Sequence, residues 1–182
     1  MLPDCLSAEG EWRCRRLLAE ATARLRARPA AAAVLVPLCL VRGVPALLYT
    51  LRSSRLVGRH KGDVSFPGGK CDPADQDVVH TALRETREEL GLAVPEEHVW
   101  GVLQPVYDQS KATVVPVLAG VGPLDPQNLK PNPKEEEALG HTCCHRAPQS
   151  GAHPAPAANQ TRWRSSESNP GCHPRPHPQH PQ

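Results

Sequence analysis

The sequence lacks a long uninterrupted apolar segment. Its longest apolar stretch, Ala30 to Val41, is interrupted by Pro37 and falls short of the roughly 18 residues that a membrane-spanning helix requires. We therefore expect a soluble chain that has no membrane among its partners.

A strong excess of charge of one sign is also missing. The formal net charge of +2 is too small to predict nucleic-acid binding by bulk electrostatics, which needs a strongly basic face. The 7 cysteines are odd in number and irregularly spaced, and no secretory leader precedes them, so they do not indicate a disulfide framework. We expect a reducing, intracellular compartment and a small-molecule partner, while the oligomeric state is left open.

The first 28 residues support two interpretations. They are rich in arginine, leucine and alanine, which is typical of a mitochondrial transit peptide, although four acidic residues argue against one. From Glu9 to Arg28 they also have the periodicity of an amphipathic helix, which Pro29 would end. Residues 1–28 are therefore predicted to be an N-terminal helix or a transit segment. The predicted location is mitochondrial, with the cytosol as the alternative.

Residues 29–137 have the pattern of a mixed α+β domain. Apolar, β-branched stretches around a short Arg-Gly turn predict a hairpin, and a later amphipathic stretch predicts a helix that Gly91 ends. Strand and helix mix without a regular βαβ repeat, which favours α+β. The predicted strands are Ala33 to Val41, Pro45 to Leu51, Asp63 to Phe66, Trp100 to Val106 and Thr113 to Val121, and the predicted helix runs from about Ala74 to Leu90.

Residues 138–182 have a different composition. They contain 8 prolines and 6 histidines but only one leucine, and no valine, isoleucine, phenylalanine or methionine. Such a segment buries too little apolar surface to offset the entropy of ordering it. We predict a disordered Pro/His-rich tail.

Three glutamates carry the chemistry of the predicted helix. Glu85, Glu88 and Glu89 stand at positions i, i+3 and i+4, so their carboxylates share one face within a turn. Like charges this close repel one another, so a helix with a purely structural role gains nothing from the arrangement. A bound cation would relieve the repulsion. Oxygen-only donors suit Mg²⁺ or Mn²⁺ and do not suit zinc.

The flanking residues distinguish this cluster from an ordinary solvated acidic helix face. Two glycines precede the helix, and Arg84 can hold a neighbouring carboxylate in a bidentate fork. Together with Asp75 and Gly91, these residues resemble the Nudix box, which has the form G, five residues, E, seven residues, then R-E-U-x-E-E-x-G-U with U bulky and apolar. Asp75 stands here for the first glutamate, eight residues precede Arg84, and Thr86 replaces an apolar residue.

Within that superfamily, the sequence is similar to the coenzyme A diphosphatase branch. The similarity rests on Phe66-Pro67-Gly68-Gly69 and on the run from Leu47 to Ser53, which resembles L-L-x-T-x-R-S. It implies a Nudix α/β/α sandwich with a mixed sheet and Mg²⁺- or Mn²⁺-dependent hydrolysis of coenzyme A or acyl-CoA. The implied roles are catalytic for Glu88, Glu85 and Arg84, substrate-binding for Arg52, Gly68 and Gly69, and metal-binding for Glu85, Glu89 and Glu88.

The chain departs from that branch after Glu136, where a run of the form N-P-x-E-V-x-E-V-F is expected. We therefore expect a Nudix fold that is incomplete at an altered C-terminus, with exposed strand edges and weak or no activity. Two other functions are left open. One is hydrolysis of another nucleoside diphosphate derivative, and the other is a catalytically inactive product.

Overall fold

The computed structural model describes residues 6–53, 62–107, 112–133 and 136–143, which form two helices and one mixed sheet. Short 3₁₀ turns lie at Glu96–His98 and Pro126–Asn128. The elements are α1 (Ala8–Leu25), β1 (Ala32–Val41), β2 (Val44–Arg52), β3 (Val64–Ser65), β4 (Gly68–Lys70), α2 (Val78–Leu90), β5 (Val99–Val102), β6 (Val106–Tyr107), β7 (Thr113–Pro123) and β8 (Glu136–Cys143). The predicted α+β class with a mixed sheet is confirmed.

Strand β1 lies at the centre of the sheet. It pairs in parallel with β7 along one edge and antiparallel with β2 and β4 along the other. Its residues alternate between buried and half-buried along its whole length, as expected for a strand with one face in the core. Beyond β7 lie β5 and β6, both antiparallel to it.

The predicted hairpin joins β1 to β2. Arg42 and Gly43 have φ angles of 52° and 77°, and this pair of positive angles is typical of the two-residue turns that suit the twist of antiparallel strands. Gly43 adopts such an angle without steric cost. The turn fixes the register that pairs Val41 with Val44.

One face of β1 and β7 carries the core. Alternate residues of both strands pack with α2, and the largest buried cluster continues into α1 through Leu25, whose relative exposure is 2%. A second cluster around Cys39 and Leu48 packs against Leu90 at the end of α2. The helix that carries the glutamates is therefore held against the sheet along its length.

Helix α1 packs on the domain. Ser7 begins it by accepting a hydrogen bond from the backbone N–H of Gly10, at 3.1 Å. The helix contacts β5. No helix within the described part of the chain has the length and apolar character needed to cross a membrane.

Two predicted boundaries around the glycines are wrong. The helix begins at Val78 and not near Ala74, because Asp72 and Asp75 take local hydrogen bonds that hold the preceding segment in a turn. Gly68 and Gly69 were expected to end a strand, yet they form β4 on the edge of β1, where the absence of side chains allows close approach.

Two further predicted boundaries differ from the structure. The strand expected from Trp100 to Val106 is divided into β5 and β6 around Pro105, which has no N–H to donate to a sheet. The tail predicted to be disordered from residue 138 is ordered as far as Cys143, because β8 pairs with β2 from Ala46 to Arg52. The remainder of the predicted tail, 144–182, lies outside the described residues.

Candidate active site

Helix α2 brings the three glutamates to its last turns. Asp77 begins the helix by accepting a hydrogen bond from the N–H of His80 at 2.9 Å. Gly91 ends it in the left-handed conformation at φ 66°, where glycine is favoured. The C-terminal end of a helix carries partial negative charge, so a cluster of carboxylates there is unfavourable unless a cation offsets it.

The glutamates occupy three different environments. The relative exposure of Glu89 as a whole residue is 3%, whereas the side chains of Glu85 and Glu88 are 16% and 59% exposed. A buried carboxylate requires hydrogen-bond or ionic partners. The sequence had placed all three on one flank, but Glu89 lies on the buried face of the helix.

Glu89 is oriented by strand β4. Its Oε2 accepts a hydrogen bond from the backbone N–H of Gly68 at 2.9 Å. Its own backbone carbonyl accepts from the N–H of Asn132 at 2.7 Å, so the segment after β7 holds the end of the helix. The contact with Gly68 aims the carboxylate at β4, and the contact with Asn132 holds the backbone of the last turn.

Glu85 packs over Gly69. A Cβ placed on Gly69 would lie 2.5 Å from Cδ of Glu85, closer than real Cβ contacts occur. The carboxylate therefore occupies the space that a side chain at this position would take, and Glu85 would have to shift to admit one. Gly68 and Gly69, which the sequence predicted to bind substrate, are brought directly against two of the predicted metal ligands.

Arg84 connects the glutamates to the turn before the helix. Its Nε and Nη2 donate to Oδ1 and Oδ2 of Asp75, both at 2.9 Å, which is the bidentate fork predicted for this arginine. The guanidinium also donates to the carbonyl of Lys70 at 3.2 Å. Sequence reasoning singled out Asp75 as a variant box residue but did not identify it as the partner of Arg84.

The Asp75 carboxylate is almost fully buried, with 4% of its side chain exposed. It also accepts hydrogen bonds from the hydroxyl of Thr81 at 2.8 Å and from the N–H of Asp72 at 2.9 Å. The guanidinium of Arg84, opposed by burial, lowers the pKa of Asp75 well below its ordinary value, and Asp75 raises the pKa of Arg84 in turn. The pair is charged at neutral pH.

Arg84 also reaches the glutamate cluster. Its Nη1 lies 3.0 Å from Oε1 of Glu85 and 3.2 Å from Oε2 of Glu88, so two carboxylates converge on one cationic nitrogen. Its observed contacts are those of a residue that positions carboxylates. The catalytic role expected for Arg84 stays a prediction.

The donor chemistry of this cluster fits a divalent cation. Carboxylate oxygens are hard donors, and the convergence of Glu85 and Glu88 on a guanidinium nitrogen marks a place that favours positive charge. As the side chains stand, no group of three His, Cys, Asp or Glu side chains in the described ranges is arranged to hold an ion. The metal-binding role expected for Glu85, Glu88 and Glu89 stays a prediction.

Arg52 lies at the end of β2. Its backbone N–H donates to the carbonyl of Asp63 at 3.0 Å, and its carbonyl accepts from Gly62 at 3.1 Å, which closes the base of the loop leading to the glycines. It is half-buried. Its predicted contact with substrate stays a prediction, since its neighbours 54–61 lie outside the described residues.

The mixed sheet and helix α2 with its three glutamates are the features of a Nudix domain. The family model named NUDIX domain matches residues 29–163, which is most of the chain, and the chain belongs to that family. A likeness in fold to a MutT/nudix family protein from Enterococcus faecalis agrees. That likeness has a TM-score of 0.53 at 22% identity and covers 79% of this chain and 58% of that one.

The names of individual curated relatives are more specific than the name of the family. The chain is 90% identical over 139 residues to the mitochondrial coenzyme A diphosphatase NUDT8 of Homo sapiens, and 84% identical over 139 residues to the protein of that name from Mus musculus. Each match covers 76% of this chain, which spans 59% and 66% of the two relatives. It is also 42% identical to the uncharacterized Nudix hydrolase NudL of Yersinia enterocolitica, over 60% of this chain and 53% of that protein.

Proposed function

We propose that this chain is a divalent-cation-dependent hydrolase of coenzyme A and acyl-CoA. Water would cleave the phosphoanhydride bond, giving adenosine 3′,5′-bisphosphate and 4′-phosphopantetheine or its acyl form. The observation that carries the proposal is the 90% identity to a protein named a coenzyme A diphosphatase. The carboxylates that α2 brings together, with Glu89 buried among them, supply the chemical support.

Glu85 and Glu89 are proposed as the main ligands of Mg²⁺ or Mn²⁺, with Glu88 close by. A bound divalent cation offsets the negative charge of a diphosphate and lowers the pKa of an attacking water. The protein would contribute fixed ligand positions. Gly68 N–H holds one oxygen of Glu89, and the surface of Gly69 supports Glu85.

Glu88 has two roles open to it. It is the most exposed of the three glutamates, so it can reach a water molecule in the solvent-facing part of the site. It would either assist the cation or take the proton from the attacking water. Its bond to Arg84 at 3.2 Å would aim the carboxylate in both cases.

The substrate side of the site is proposed to use Gly68, Gly69 and Arg52. Glycines leave room for the diphosphate beside the carboxylates. A guanidinium at the end of β2 can form a planar fork with phosphate oxygens. The remaining basic residues of the loop before Gly62 lie outside the described residues.

The test is turnover of the purified chain with Mg²⁺ or Mn²⁺, comparing coenzyme A and acetyl-CoA with ADP-ribose and a dinucleoside polyphosphate. Glu89→Gln keeps the size of the side chain and removes its charge, so we expect hydrolysis to fall by at least about 100-fold. Glu20→Gln, an exposed change on α1, is the matched control and should leave turnover unchanged. Turnover retained in Glu89→Gln would refute the ligand assignment.

Two alternatives are separated by the same assay. Preference for ADP-ribose or a dinucleoside polyphosphate would make the chain a Nudix hydrolase of another nucleoside diphosphate derivative. Absence of turnover with every substrate, from a chain that unfolds cooperatively, would make it a catalytically inactive product. The proposed location is the mitochondrion, supported by the names of the two mammalian relatives, and fractionation of cells that express the chain tests it.

A further inference from the structure

The arginine-rich helix α1 supplies polar partners to the neighbouring strand. The hydroxyl of Thr22 accepts a hydrogen bond from the N–H of Val102 in β5 at 2.9 Å. The guanidinium of Arg15 donates to the carbonyl of Val99 at 2.6 Å and to that of Glu97. These strand and loop groups would need other partners without the helix.

Helix α1 also fills space that the domain leaves for it. A Cβ on Gly101 would lie 2.6 Å from Cβ of Leu18 and 2.8 Å from Oγ1 of Thr22, so helix and strand touch through the glycine. One turn further along α1, Leu25 belongs to the same buried cluster as Val79 of α2. The end of α1 is therefore part of the core.

Arg26 connects α1 to the start of α2. Its Nε donates to Oδ2 of Asp77, whose other oxygen caps the helix, and its Nη2 donates to Glu96 at 2.5 Å. These two carboxylates raise the pKa of Arg26. The carbonyl of Arg26 also accepts the N–H of Val78 at 3.3 Å. The residue therefore holds both the N-cap and the first residue of the glutamate helix.

We propose that α1 is a permanent part of the folded domain, that the mature protein retains α1, and that Arg26, which directly follows α1, is a positioning residue for α2. Any processing during import would then cut ahead of Ala8. A removable targeting peptide leaves a complete domain behind. Here removal would take Leu25 from the core, free the Val102 N–H and leave Asp77 and Glu96 without Arg26.

The location part of this proposal rests on the proposed mitochondrial location, and the positioning role of Arg26 rests on the proposed cation site, whereas the packing of α1 rests on neither. The first measurement is the N-terminal peptide of the full chain, recovered by a C-terminal tag from mitochondrial and cytosolic fractions and identified by mass spectrometry. We expect it to begin at or before Ala8. A mitochondrial form that begins beyond Ala8 would overturn the proposal.

The second measurement compares purified variants by thermal unfolding and by calorimetric titration with Mn²⁺. A chain that begins at residue 29 should lose its cooperative transition. Arg26→Ala should lower Tm by roughly 3 to 6 °C and weaken Mn²⁺ binding several-fold, and Arg26→Lys should recover part of both. Arg24→Ala, an exposed change in the last turn of α1, is the matched control.

Each outcome has a definite meaning. Wild-type Tm and Mn²⁺ affinity in Arg26→Ala, or a chain from residue 29 that unfolds like the full one, would refute the proposal. A chain found only in the cytosol would refute the location, and the unfolding and Mn²⁺ measurements would then decide the proposal. A fall in Tm without weaker Mn²⁺ binding would refute the positioning role of Arg26, since a merely structural contact gives that result.

Discussion

Replacing Asp75 by asparagine tests the ion pair that holds Arg84. The substitution keeps the shape of the side chain and removes the charge that receives the fork. Removing one partner of a buried ion pair costs about 3–5 kcal/mol, because the other charge is left uncompensated. The side chain of Arg84 is 26% exposed, so solvent reduces this penalty. We expect the free energy of unfolding to fall by about 2–3 kcal/mol at pH 7.

The Asp75–Arg84 ion pair also predicts that the free energy of unfolding depends on pH. The pKa of Asp75 in the folded state lies below its ordinary value of 3.8, so the unfolded chain takes up this proton first as the pH falls. The stability due to the ionised carboxylate is therefore complete above about pH 5, begins to fall as the pH drops below about 4, and is lost fully only as the pH falls through the lower pKa of the folded state. The gap between the unfolding free energies of wild type and Asp75→Asn should be at its full size above about pH 5 and narrow progressively below about pH 4.

Urea unfolding followed by circular dichroism measures both effects. Asp72→Asn makes the same chemical change at an exposed position of the same turn, and it should cost less than about 1 kcal/mol. A double-mutant cycle with Arg84→Met should give a coupling energy of about 1.5–3 kcal/mol. A loss below about 0.5 kcal/mol for Asp75→Asn, or a gap of the same size at pH 3 as at pH 7, would refute the ion-pair argument.

Three further changes test close contacts. Gly69→Ala places a Cβ 2.5 Å from the Glu85 carboxyl carbon, so it should raise the Mg²⁺ concentration needed for half-maximal turnover by at least about tenfold; an unchanged value would contradict the close packing. Gly101→Ala should lower the free energy of unfolding by about 1–3 kcal/mol in a denaturant titration, because its Cβ meets Leu18, and a neutral result would show that α1 yields easily. Thr22→Val leaves the Val102 N–H without its acceptor and should cost about 1–3 kcal/mol, whereas Thr22→Ser should retain most of the stability; equal losses would point to packing alone.

The local features of the fold could be predicted from the sequence. The Arg42-Gly43 turn and the Gly91 helix end were predicted correctly, because each depends on the conformation of one or two residues. The alternation of β1 likewise follows from one buried face. Predictions of this kind need no knowledge of which elements meet.

The start of α2 was harder to predict. Residues from Ala74 onward suit a helix, but Asp72 and Asp75 side chains bond to backbone N–H groups of the preceding turn, and Asp77 provides the cap. The three aspartates Asp72, Asp75 and Asp77 are each possible caps for the helix. Tertiary contacts with Arg26 and Arg84 favour the one observed.

The residues of the candidate site could be predicted, but their environments could not. Spacing placed Glu85, Glu88 and Glu89 on one face and made them look alike. The difference in burial between Glu89 and Glu88 arises because β4 lies across the last turns of the helix. The periodicity of a helix does not indicate that a backbone N–H of another strand will contact one of its side chains. The pairing of β8 with β2 is likewise a backbone property that composition does not indicate.

Strand β8 joins the sheet through main-chain pairing with β2. Ala46 pairs with Cys39 on one side and Cys143 on the other, so β2 is an internal strand. Backbone pairing tolerates many side chains, and Gly140 lies opposite the Tyr49 ring, which covers it. Because β8 occupies the edge of β2 from Ala46 to Arg52, this length of β2 is closed to pairing with strands of other molecules.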